Sequence, residues 1–83
     1  SFFNFGRFVI ESSKLGPSFL VGSDQAAVEN FLNNKINYLG MLDIMKEVYK
    51  NVDLSKPYSI ETSKEMIKDS YNLTNKLIND GNI

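Results

Sequence analysis

The stretch FLVGSDQAAVENFLNNKINYLGMLDIMKEVYKNV, from Phe19 to Val52, decides how this 83-residue chain is read. Its second half has the clearest helical period. Leu42, Met45, Val48, Tyr49 and Val52 recur at three- and four-residue spacing, and Met41 and Ile44 widen the stripe. Asp43, Lys46, Glu47 and Lys50 fall mainly on the other side, where Asp43–Lys46 and Glu47–Lys50 are expected to add ~0.2–0.5 kcal/mol each. A helix is predicted over about 39–51. In the first half, Ala27, Val28, Phe31 and Leu32 form a second apolar stripe, which predicts a helix over about 24–33. Ser23 is its expected N-cap, and Asp24 faces the positive end of its dipole. Asn33-Asn34 breaks it, and the pattern leaves open whether Lys35 to Tyr38 is extended or a turn. As a member of the buried stripe, Leu32 is expected to cost ~2–5 kcal/mol when cut to alanine.

Working outward, Phe5, Phe8, Val9 and Ser12 share one face of a helix expected over about 3–14, with Phe2 and Phe3 adding apolar surface at its start. Leu15-Gly16-Pro17-Ser18 is read as its end, with Gly16 in a left-handed cap and Pro17 unable to continue. A last helix is expected over about 60–79, capped by Ser59 and with Glu61 in its first turn. Ile60, Met66, Ile67, Ser70, Leu73, Leu77 and Ile78 trace its inner face, and Asp80-Gly81-Asn82 closes it. The expected architecture is all-α: a small four-helix bundle-like domain over 1–83 with short connections.

Composition excludes several function classes. Nine basic residues against ten acidic ones, with a single arginine and scattered lysines, leave no basic stripe for nucleic acid. No apolar run approaches the ~20 residues of a membrane span. Cysteine and histidine are both absent, which removes disulfides, thiolate nucleophiles, imidazole bases and the usual zinc ligands. The chain opens on Ser1 rather than Met, without a secretory signal, and is expected to be a fragment, a processed product or part of a longer protein.

Candidate chemistry is correspondingly thin. Asp43 and Glu47, one turn apart, are able to share a cation or a proton, but a general acid or base needs a desolvated site and these sit among lysines. Ser12-Ser13-Lys14 and Ser63-Lys64 lack both S-x-x-K spacing and an activating histidine. Val21-Gly22-Ser23, read as leading into a helix N-terminus, offers backbone N–H groups to an anion, though an ordinary capped helix needs the same residues. Met41, Met45 and Met66 are read as core. Asn72-Leu73-Thr74 matches a glycosylation sequon in mid-helix and is read as chance. No catalytic, cofactor-binding or metal-binding residue is assigned. Four phenylalanines in seven residues, Phe2, Phe3, Phe5 and Phe8, exceed what one helix face hides, so another protein chain or domain is expected to pack on them.

Leu20, Ala27-Val28, Phe31-Leu32, Lys35-Ile36 and Tyr38, followed by Asp43-Ile44 and Val48, carry a resemblance. The order resembles the C-terminal helical domain of the 1-deoxy-D-xylulose 5-phosphate reductoisomerase family, where a leucine, a small polar turn and an A-V-x-x-F-L helix precede a K/R-I-x-F/Y element and another helix. The likeness is best from Leu20 to Val48, and Ser59-Ile60-Glu61 is similar to the start of the family's last helix. The family's L-N-A-A-N-E turn is here Leu20-Val21-Gly22-Ser23-Asp24-Gln25, which keeps the leucine and replaces both asparagines. The resemblance implies a parent enzyme that uses NADPH and a divalent metal in isoprenoid biosynthesis, with both cofactors held by other domains and none on this chain. It implies a non-catalytic helical buttress, in a bacterial cytoplasm or an organelle matrix such as the plastid's. The alternative expectation is a small helical structural subunit of a large multi-protein assembly.

Overall fold

Four helices follow one another in the computed structural model, which describes residues 2–81 and, for Phe2, the backbone alone. They are α1 (Phe2–Ser12), α2 (Gly16–Leu32), α3 (Tyr38–Lys50) and α4 (Ile60–Asn79). Among the described residues there is no strand, and the all-α architecture with short connections holds. Asn82, expected to help close α4, lies outside the described residues. The helix α2 packs against each of the other three, most extensively against α4.

The ends of the helices follow local chemistry. At the end of α2, Asn34 takes a left-handed conformation (φ 61°), the N–H of Asn34 donates to the Phe31 carbonyl and that of Lys35 to the Asn30 carbonyl. That six-to-one and five-to-two pairing satisfies the last carbonyls of α2 and turns the chain. Asn37 then caps α3, its Oδ1 accepting from the Gly40 N–H at 2.7 Å, so the segment before Tyr38 is a turn. Ser59 and Thr62 form a reciprocal capping box at the start of α4, and Gly81 (φ 73°) follows its end.

Two expectations about α1 and α2 are corrected. The first helix ends at Ser12, because the Ser13 hydroxyl accepts from the Leu15 N–H and donates to the Leu54 carbonyl, drawing the chain out of helical register. The second begins at Gly16, eight residues before the expected Asp24. Pro17 opens this helix rather than closing the previous one, since a proline in the first turn has no N–H to leave unpaired. Gly16 is not left-handed; a Cβ there would collide with the Val9 carbonyl, so glycine lets the start of α2 sit on the backbone of α1.

The core draws on every helix: Phe5 and Val9, Phe19 and Ala27, Met41, Ile44, Met45 and Val48, and Met66 and Ile78, with Leu15 and Ile36 from the connections. Of the predicted α3 stripe, Met41, Ile44, Met45 and Val48 are buried while Leu42, Tyr49 and Val52 are partly buried against the core, and the three methionines are core residues as expected. At one end of the core, Phe5, Phe8 and Phe19 meet Tyr49 edge-on, with ring centroids 5.6–5.9 Å apart. Such contacts add ~0.5–1.5 kcal/mol per pair beyond area burial. The α2 stripe departs from expectation: Ala27 is buried, but Val28 and Phe31 are partly exposed and Leu32 is 71% exposed. The reason is that α2 turns a different face to α4. Ile60, placed on the inner face of α4 by its spacing, is exposed in that helix's first turn. The accessible surface, 5276 Å², is close to the ~5,000 Å² typical of a folded monomer of this mass, so the core closes on itself.

Candidate functional site

The least expected feature is the seam between α2 and α4, which is built from small and polar side chains. Ser18 meets Ser63 (2.6 Å), Gly22 abuts Ile67, and Asn30 donates from Nδ2 to Asn75 Oδ1 (2.7 Å). Each of these pairs is separated by the same 45 positions, so the two helices run parallel in constant register. Gly22 has no room for a side chain, because a Cβ there would overlap the Ile67 carbonyl. Backbone therefore packs on backbone. Ser18, Gly22, Ala26 and Asn30, one turn apart, make the close approach possible.

Beside that line, the buried Ser23 hydroxyl bonds Thr74 (2.8 Å), and Thr74 Oγ1 donates to the Ser70 carbonyl (2.7 Å). The Tyr71 hydroxyl donates to the Glu29 carboxylate, which also accepts from Gln25 Nε2 at 3.3 Å. The Glu29 acceptor holds the Tyr71 proton and raises that phenol's pKa above its ordinary value, partly offset by Asn75. Among the described residues every buried side-chain polar atom has a partner. A fully paired seam fixes helix register.

The sequence candidates fall elsewhere. Ser23 is in the middle of α2 and buried, so it is neither an N-cap nor part of an exposed anion cradle; the N–H groups of Val21-Gly22-Ser23 lie within a continuing helix. Asp43 is exposed and Glu47 half-exposed on α3. Neither expected pair with lysine closes; among the described residues the ion pair is Arg7–Glu11 on α1, at 2.9 Å. The serines hold structure: Ser12 Oγ donates to the Val9 carbonyl and Ser70 Oγ to the Met66 sulfur. In the sequon, Asn72 is exposed and Thr74 is buried in the seam.

An open cleft of ≈ 380 Å³ lies between the 51–56 loop and α4, with Met66 and Leu73 in its lining and Asp53, Lys56, Asp69 and Lys76 among its charged residues. The Ser55 hydroxyl, then its N–H at 2.9 Å, hold the exposed Asp53 carboxyl below the usual carboxylate range. Among the described residues no three acidic, histidine or cysteine side chains gather. No helix among them is long and apolar enough to cross a membrane.

The phenylalanine-rich start divides. Phe5 is buried in the chain's own core, whereas Phe3 is 74% exposed and Phe8, although its ring meets Tyr49, is 57% exposed. The Phe2 side chain lies outside the described residues. Phe3 and Ile10, seven residues apart, share the outward face of α1, and Ile10 is 54% exposed.

Fold and surfaces together define a small all-helical bundle whose buried polar groups serve helix packing. Compared with known proteins, the chain is similar to part of 1-deoxy-D-xylulose 5-phosphate reductoisomerase. It is 37% identical to the Aquifex aeolicus enzyme over 49 residues, 59% of this chain and 13% of that one. It is 34% identical to the Clostridium perfringens enzyme over 59 residues, 71% of this chain and 15% of that one. The similarity thus spans about one seventh of the length of these curated relatives. No family model matches the chain, and no solved structure matches it.

Proposed function

We propose that this chain is a non-catalytic helical module that buttresses a larger catalytic body, one related to reductoisomerases of 1-deoxy-D-xylulose 5-phosphate. The observation that carries the reading is the partial likeness to those enzymes, in a bundle whose buried polar groups are all engaged in packing. The body would hold NADPH and a divalent metal, and this chain would contribute position. The outward face of α1, with Phe3 and Ile10, is the surface we assign to the contact: its removal from water stabilises an interface by ~25 cal/mol per Å² of apolar area, without disturbing the closed core.

The test is a hybrid. The helical domain of the Aquifex aeolicus reductoisomerase that contains the matching segment is exchanged for residues 1–83, and NADPH oxidation with 1-deoxy-D-xylulose 5-phosphate is followed by the absorbance of the reduced nicotinamide. The hybrid is expected to retain activity that a version deleted for the segment has lost. A hybrid that folds by circular dichroism yet is no more active than the deletion overturns the reading.

A further inference from the structure

We draw no further inference here: the strongest candidate, the exposed apolar corner of Phe31, Leu32 and Leu39 where α2 ends and α3 begins, carries nothing because nothing in the structure shows what covers it.

Discussion

Replacing Gly22 by alanine sets two known effects against each other. In an ordinary helix interior the change is favourable by ~1 kcal/mol, because alanine loses less backbone entropy than glycine. At Gly22 the new methyl overlaps the carbonyl oxygen, carbonyl carbon and Cα of Ile67, all backbone atoms of α4. No rotamer change relieves that contact, so the helices must move apart. Overpacking of this kind costs ~1–3 kcal/mol, and a rigid obstacle belongs at the upper end. Separation also lengthens the Ser18–Ser63 and Ser23–Thr74 hydrogen bonds, each worth ~1 kcal/mol net. The sum favours destabilisation by ~2–3 kcal/mol, a fall in Tm of ~10–20 °C for a domain of this size. Gly6→Ala is the internal control. Its Cβ would meet only Leu20 Cδ1, at 3.9 Å, so this exchange should stabilise the chain by ~0.5–1 kcal/mol. Thermal and urea denaturation followed by circular dichroism measure both. Equal or higher stability for Gly22→Ala would refute the close-packed seam.

Three further outcomes are expected. Leu32→Ala, at a 71% exposed position, should change stability by less than ~0.5 kcal/mol, whereas Phe19→Ala, at a fully buried one, should cost ~3–5 kcal/mol in urea titrations. Thr74→Val keeps the shape of the side chain but strands the Ser23 hydroxyl, so it should cost ~1–3 kcal/mol, and adding Ser23→Ala should recover part of the loss. Because the folded Tyr71 phenol has a raised pKa, the stabilisation it brings is present below the pKa of an unfolded tyrosine and is lost as pH rises through the folded value. A spectrophotometric titration should show the Tyr71 phenol ionising above the ordinary tyrosine range, and Glu29→Gln should lower it.

What was legible in the sequence was the part held together by apolar area. The α3 stripe reads directly as helix and faces the core, and Ser59 with Asn33-Asn34 marks the ends that the structure shows. The α2–α4 seam escaped because its contact residues are not hydrophobic. Ser18, Gly22 and Ser23 read as helix end, turn or cap, so the first eight residues of α2 looked like a connection. Two signals were present: small residues at Ser18, Gly22 and Ala26 in steps of four, and hydroxyls at Ser70 and Thr74 on the facing helix. Leu32 misled for the complementary reason. It continues the apolar spacing of Ala27 and Val28, but α2 turns towards α4 through its small face and leaves Leu32 in water. The phenylalanine count overstated the external surface at Phe5, which is buried against Phe19 and Tyr49, but not at Phe8, which touches Tyr49 and stays exposed. For the site, missing residue types were readable from composition, but which apolar side chains stay exposed needed the burial of each one.

The account is tested most directly by placing Phe3→Gln and Ile10→Gln together in the hybrid reductoisomerase and in the isolated chain. Surface substitutions of this kind leave the bundle's melting temperature within a few degrees, about the effect of ~0.5 kcal/mol. The predicted result is an unchanged melt for the isolated chain with a loss of NADPH oxidation by the hybrid. Full activity in the substituted hybrid would contradict the assignment of α1 as the contact face, and NADPH oxidation by the isolated chain would contradict the claim that it works only by packing.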